Sequence, residues 1–191
     1  MKSRLLPMLL ILALGAAGLF AAEESREEAF LIFENRKLSI AVPTGFECVT
    51  AKDETGLVAA VRIADAKERC SLEIRFVPDA DRRYAQARAR CELMNEVFGE
   101  YVRASSEKGM QFEELEPRAG AGTYCVFTDS SLVGRADLPP GEYLHVTAGL
   151  KAWPGVVVIF RFFSNETDTP GYQAIMKMLR ESLQEKSVPL L

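Results

Sequence analysis

The sequence predicts an α+β domain in which an antiparallel β-sheet is flanked by two amphipathic helices. Short apolar stretches separated by glycine, proline and polar residues occupy both halves of the chain, a pattern typical of strands joined one after another by turns. Between these halves, and again after the last strand, apolar residues recur at spacings of three and four. That spacing places them on one face of a helix, so two helices are expected to cover the sheet.

The first 22 residues have the pattern of a secretory signal peptide. Lys2 and Arg4 precede an uncharged apolar stretch, residues 5–22, that ends in small residues and is followed directly by acidic ones. The alternative is an uncleaved membrane anchor, which needs roughly 20 apolar residues. Because the stretch is interrupted by Pro7 and two glycines, we expect residues 1–22 to be cleaved on export, with no stable membrane anchor afterwards.

Residues 23–191 are expected to form a single domain in the periplasm or outside the cell. They contain no repeat or linker, and their number suits one hydrophobic core. With the leader removed, 21 basic residues stand against 27 acidic ones, a net charge of −6. Nucleic acids and anionic membranes are bound by basic surfaces, so neither is an expected partner.

Five strands are predicted before the first helix, each ended by a turn. The strands cover residues 30–33, 37–42, 46–50, 57–63 and 70–76. The last of them alternates apolar and polar side chains, which indicates a strand with one buried and one exposed face.

The first helix is predicted to begin at Asp79 or Asp81, either of which can cap it, and to end near Ser106. The residues that share its apolar face are Tyr84, Ala87, Cys91, Met94, Phe98 and Tyr101. The arginines expected on its exposed side are Arg82, Arg83, Arg88 and Arg90.

Strands return in the second half. A weak strand is predicted at residues 110–116 and a stronger one at 123–129, followed by a long loop at 130–141. Residues 142–151 and 156–164 are predicted to form a hairpin, because proline followed by glycine at its tip suits a type II turn.

The final helix is predicted to start after a cap at Thr167, Asp168 or Thr169, with Pro170 in its first turn. The residues on its predicted buried face are Tyr172, Ile175, Met176, Leu179 and Leu183.

Two segments resemble those of PsbP-like and Mog-like proteins. Residues 38–46, LSIAVPTGF, resemble that family's early strand and its turn of the form Pro-x-Gly-aromatic, and the last strand with residues 172–183 is similar to its closing strand and helix. The resemblance implies a sandwich with an antiparallel sheet between helices, and a non-catalytic role. Members of the family assist photosynthetic complexes, bind a nuclear-transport GTPase or sit in bacterial envelopes, and the resemblance implies no catalytic residue or cofactor.

Four cysteines lie in the predicted exported part, namely Cys48, Cys70, Cys91 and Cys125. An even number of cysteines in an exported chain favours at least one disulfide, although spacing alone does not choose among the three possible pairings. Buried free thiols are the alternative. The absence of a Cys-x-x-Cys motif argues against thioredoxin-like redox chemistry.

Common catalytic and metal-binding patterns are missing from the sequence. His145 is the only histidine, and no cluster of cysteine, histidine and carboxylate has the spacing of metal ligands. There is neither a Gly-x-Ser-x-Gly elbow nor a phosphate-binding Gly-x-x-x-x-Gly-Lys loop. No metal or cofactor is therefore expected, and His145 is interpreted as a residue of the sheet surface.

Binding to a protein partner is the leading functional hypothesis. Trp153 is predicted at a hairpin tip, where its ring either packs down or meets a partner, and the 130–141 loop offers Leu132, Val133 and Leu138 as apolar contacts. One alternative is an exported hydrolase in which His145 acts with a carboxylate or a cysteine. Another is a carrier of a small apolar ligand, which requires an enclosed pocket lined by phenylalanine and tyrosine.

Overall fold

The structure, a computed structural model, describes residues 25–33, 36–67, 69–139 and 141–186. The predicted signal peptide lies outside the described residues. Within them, antiparallel strands and two α-helices confirm the α+β class. In the part of the chain that the structure describes, no helix is both long and apolar enough to cross a membrane.

The elements follow the chain in an order close to the predicted one. They are β1 (Ser25–Leu31), β2 (Lys37–Pro43), β3 (Phe46–Lys52), β4 (Val58–Asp65), β5 (Cys70–Asp79), α1 (Ala87–Ala104), β6 (Glu113–Glu114), β7 (Ala121–Thr128), β8 (His145–Trp153), β9 (Gly155–Ser164), α2 (Pro170–Glu181) and β10 (Gln184–Lys186).

A seven-stranded sheet forms the centre of the domain. Its strand order is β3-β4-β5-β9-β8-β7-β6, and every neighbouring pair is antiparallel. The predicted hairpin joins β8 and β9: Trp153 pairs with Val156, and Gly155 has a φ of 87° at the turn. Glycine tolerates this left-handed conformation, so the local sequence explains why the chain reverses here.

Three strands form a second, smaller sheet, which the sequence does not predict. Its order is β1-β2-β10, with β2 in the middle and antiparallel to both neighbours. The chain leaves this sheet for the large one through a turn at Thr44 and Gly45, where Gly45 has a φ of 85°. Since β10 comes from the far end of the chain, local sequence pattern cannot show this pairing.

Helix α2 covers one face of the large sheet and also contacts β2. Thr169 caps it, its Oγ1 accepting a hydrogen bond from the N–H of Tyr172 at 3.2 Å, and all five residues predicted for its buried face are buried. They join a core that contains Ile40, Leu72 and Phe162. The predicted cap, first turn and buried face of this helix are therefore confirmed.

Helix α1 covers the opposite face, where Met94 and Phe98 pack against Phe127 and Val146. It begins later than predicted because Asp79 does not cap it. The carboxylate of Asp79 instead accepts hydrogen bonds from the backbone N–H groups of residues 83 and 84, which hold a 3-10 turn, and α1 follows that turn.

The predicted faces of α1 are only partly right. Arg82, Arg83 and Arg88 are exposed as expected, but Arg90 is buried and Ala87 is exposed. The Nε of Arg90 donates to the hydroxyl of Thr123 at 2.9 Å, and its Nη1 donates to the carbonyls of residues 84 and 85. These three acceptors, with the carboxylate of Glu114 at 3.7 Å from Nη2, offset the cost of burying the guanidinium.

Candidate functional site

Two pockets lie on opposite faces of the large sheet, near the same ends of β5 and β9. The loop pocket, on the α1 face, has a volume of about 620 Å³, and the helix pocket, on the α2 face, about 730 Å³. Adjacent residues of one strand point to opposite faces of a sheet. Ser71 and Phe163 therefore line the loop pocket, whereas Cys70 and Ser164 line the helix pocket.

The predicted contact loop, residues 130–141, forms one side of the loop pocket. Its start is fixed to the end of α1, because both the N–H and the hydroxyl of Ser130 donate to the carbonyl of Ala104, at 3.0 and 2.6 Å. Leu132 is buried and lines the pocket, whereas Val133 is 57% exposed and Leu138 is half-buried. Val133 is therefore the candidate contact residue of this loop that offers most of its side chain to a partner.

Four aromatic rings line the loop pocket. Tyr101 stacks on Phe127 with ring centroids 5.8 Å apart, and Tyr143 packs at a tilt against Phe163 with centroids 5.7 Å apart. Rings of this kind provide large apolar contact area at low conformational cost. The sequence does not predict that these four residues lie close together, because they come from α1, β7, β9 and the segment before β8.

Charged side chains border the aromatic lining. In the strand register, Arg62 of β4 lies opposite Glu73 of β5, and Glu73 lies opposite Arg161 of β9. The three residues form a row of alternating charge across the α1 face. At the outer edge, Arg135 lies 3.9 Å from Glu142. The pocket thus combines aromatic rings with charged and polar side chains, a mixture also found in protein-binding surfaces.

Trp153 is not available as a surface contact, and this part of the predicted contact set is wrong. Its side chain is 6% exposed and belongs to the core beneath α2. The ammonium of Lys151 lies 5.1 Å from the ring centroid, a distance that permits a cation–π interaction. The ring thus packs down, which is the other outcome expected for a tryptophan at a hairpin.

His145 is half-buried at the start of β8 and lines neither pocket. Its Nδ1 lies 3.2 Å from the hydroxyl of Thr128. Burial lowers the pKa of His145, an effect that the charge of Glu107 partly opposes. Its observed partner is a hydroxyl, whereas the hydrolase hypothesis needs a carboxylate or a thiol in that place.

All four cysteines are free thiols in the structure, so the predicted disulfide is not confirmed. Burial raises the pKa of Cys70 to about 11 and that of Cys125 to about 12. Burial also raises the pKa of the Cys48 thiol. Because the thiolate is the reactive form of cysteine, these surroundings oppose nucleophilic chemistry at the three positions.

The helix pocket lies at the N-terminus of α2. Thr169, Pro170 and Gly171 line it, together with Phe46 of β3. The carboxylate of Asp65, also at the pocket, accepts hydrogen bonds from the N–H groups of residues 69 and 70 and from the Nε of Arg69.

Sequence reasoning missed the helix pocket because pairing of distant strands creates it. Cys70 is paired with Ser164 across β5 and β9, and Ser164 is paired with His145 across β9 and β8. The three side chains therefore share one face of the sheet, although no local motif joins them in the sequence.

Among the described residues, no group of three or more histidine, cysteine or acidic side chains could hold a metal ion. Comparison of the chain with protein-family models, curated proteins and solved structures finds no match. The two pockets are therefore the features of the molecule from which a function can be inferred.

Proposed function

We propose that this chain is a non-enzymatic exported domain that binds a protein partner through the loop pocket. The single observation that carries the proposal is the group of four aromatic rings that line this pocket together with Leu132 of the 130–141 loop, in which Val133 is exposed. An apolar or aromatic side chain of the partner would fill the pocket. Binding energy is typically concentrated where such an anchor enters a well-packed apolar pocket that has a polar edge.

Export is supported by the amino-terminal pattern, in which Lys2 and Arg4 precede the uncharged stretch at residues 5–22. A sandwich of the PsbP-like and Mog-like kind is supported by the order of elements, an antiparallel sheet with a helix on each face. A role as an accessory to an envelope assembly agrees with both features.

Photocrosslinking from two matched positions tests the partner proposal. A photoreactive amino acid replaces Val133 in one variant and Val49 in the other; the two residues are 57% and 60% exposed, and Val49 lies on edge strand β3. In the native envelope, we expect the Val133 variant to crosslink to a defined protein and the Val49 variant not to. Equal crosslinking from both positions, or none from position 133, contradicts the proposal.

Substitution in the pocket adds a quantitative test once the crosslinked partner has been purified. Tyr143→Ser removes one of the four rings while leaving Phe163 in place. We expect the affinity for the partner to fall about tenfold or more, the effect of losing one aromatic anchor. The matched control is Tyr84→Ser, because Tyr84 is partly exposed near the opposite end of α1 and lies outside this pocket.

A carrier of a small apolar ligand is a second candidate, favoured by the same aromatic rings, although the loop pocket is open and as polar as it is apolar rather than enclosed. Its volume lies within the range of about 300–1,000 Å³ that is typical for small ligands. Native mass spectrometry of the purified domain distinguishes the two candidates. A small molecule that co-purifies with the wild type and is lost in Tyr143→Ser supports the carrier, whereas ligand-free protein that binds its partner supports the leading proposal.

A further inference from the structure

We propose that the helix pocket is a second binding site, for a small organic molecule with one carboxylate group and a short apolar body. This site lies on the other face of the sheet from the loop pocket, and the proposal does not depend on the partner proposed there. Its support comes from the N-terminus of α2, a buried hydroxyl without a partner, the balance of charges and the apolar side chains that line the pocket.

Gly171, in the first turn of α2, brings a polar backbone group to the lining of the pocket. α2 is 12 residues long, and the N-terminus of a helix favours negative charge. Pro170 has no N–H, and the N–H groups of Tyr172 and Gln173 donate to Thr169. The N–H of Gly171 is therefore the donor of this turn that a ligand oxygen can use.

A buried hydroxyl, that of Ser164, is the second feature that indicates a ligand in this pocket. The side chain of Ser164 lines the pocket, is 2% exposed, and has a hydroxyl with no hydrogen-bond partner. A buried hydroxyl without a partner costs free energy, which an acceptor on a ligand would recover. A ligand carboxylate between Gly171 and Ser164 would provide the missing acceptor.

The charges around the pocket fit a single negative charge on the ligand. Asp65 is compensated by Arg69, whose Nε lies 2.9 Å from the carboxylate. Lys67 and Glu166, both exposed, are the other charged residues of the lining within the part of the chain that the structure describes. These four side chains sum to zero, so a ligand with one negative charge meets less repulsion from Asp65 and Glu166 than a phosphate with two.

Apolar side chains also line the pocket and suit the body of such a ligand. They include those of Pro43, Phe46, Pro170 and Ala174. A side chain at position 171 would meet the ring of Phe46, whose nearest carbon is 3.6 Å from the position of a Cβ atom there. The backbone of residue 171 therefore lies beside an aromatic ring, and the volume of about 730 Å³ holds a molecule of moderate size.

The experiment uses octanoate as the probe and octanol as its neutral match, with binding measured by calorimetry and by the amide NMR shift of Gly171. We expect octanoate to bind at least about tenfold more tightly than octanol and to shift the Gly171 amide, because one charge-assisted hydrogen bond changes affinity by about that factor. Equal affinities, or an unmoved Gly171 signal, overturn the proposal. Binding of inorganic phosphate in preference to octanoate overturns the carboxylate class.

The decisive variant is Ser164→Ala, with Ser131→Ala at the loop pocket as its control. Ser164→Ala removes a hydroxyl that has no partner in the free protein, so the thermal midpoint of the free protein should stay the same or rise. We expect its affinity for octanoate to fall about tenfold, and that of Ser131→Ala to stay at the wild-type value. Wild-type affinity in Ser164→Ala contradicts the role of this hydroxyl and with it the proposed site.

Discussion

Lys151 shows how one charged residue can be accommodated inside a small core. It is 1% exposed, and its ammonium donates to the carbonyls of Leu179 and Leu183 at 2.7 and 2.6 Å, with the carbonyl of Arg180 at 3.4 Å. The last carbonyls of a helix have no partner within the helix and carry partial negative charge. Lys151 therefore caps the C-terminus of α2 from β8 and joins that helix to the sheet.

Substitution of Lys151 by methionine keeps the apolar part of the side chain and removes the donor. We expect the free energy of unfolding to fall by about 2 kcal/mol, because buried carbonyls are left without a hydrogen bond. Urea unfolding measures the change. The matched control is Lys177→Met on the exposed side of the same helix, which should change stability by less than about 0.5 kcal/mol; an equal loss in both variants contradicts the capping role.

The stability contributed by Lys151 depends on pH, since burial lowers its pKa from 10.5 to about 8. Between these two values the unfolded chain binds a proton at this position that the folded chain has released, so the free energy of unfolding increases with pH. We expect the difference between the wild type and Lys151→Met to rise by on the order of 2–3 kcal/mol from about pH 8 to about pH 10. A constant difference would show that the pKa of Lys151 is unchanged by folding.

The elements that the sequence predicted well are those specified by local pattern. α2 has its cap, its proline and its apolar spacing within one short segment, so its position and buried face are confirmed. The hairpin of β8 and β9 follows from Pro154 and Gly155 at its turn. In each case neighbouring residues decide the backbone conformation, and local reasoning is sufficient.

The features that local reasoning missed depend on partners far away in the chain. The burial of Arg90 requires Thr123 on β7, and that of Lys151 requires the end of α2. The helix pocket requires β5 to pair with β9, which brings Cys70 beside Ser164. Tertiary acceptors thus overrode the usual preference of charged side chains for water.

The cysteines at the interface between α1 and β7 allow a test of whether the chain forms a disulfide. Cys125 on β7 is buried, and the nearby Cys91 on α1 contributes to raising its pKa. We expect four reactive thiols per chain in denaturant without reductant, and a slow reaction of Cys125 in the folded protein, because a pKa of about 12 keeps it protonated. A thiol reagent such as Ellman's measures both, and a count of two or fewer shows that a disulfide forms.

The two hydrophobic cores of the molecule share one sheet, so they are expected to unfold together. The core beneath α1 contains Phe98, and the core beneath α2 contains Trp153, the single tryptophan of the chain. The strands β5, β7, β8 and β9 contribute side chains to both cores. Loss of packing in one core should therefore destabilise the sheet against which the other core packs.

Phe98→Ala tests this coupling, because Trp153 reports from the opposite face of the sheet. We expect the variant to lose about 3–5 kcal/mol, the usual cost of removing a buried phenylalanine. Tryptophan fluorescence and far-UV circular dichroism should show the same lowered midpoint. Glu96→Ala, an exposed position on the same helix, should leave both midpoints near those of the wild type. If the circular dichroism midpoint falls while the Trp153 signal keeps its wild-type midpoint, the two faces are separate folding units.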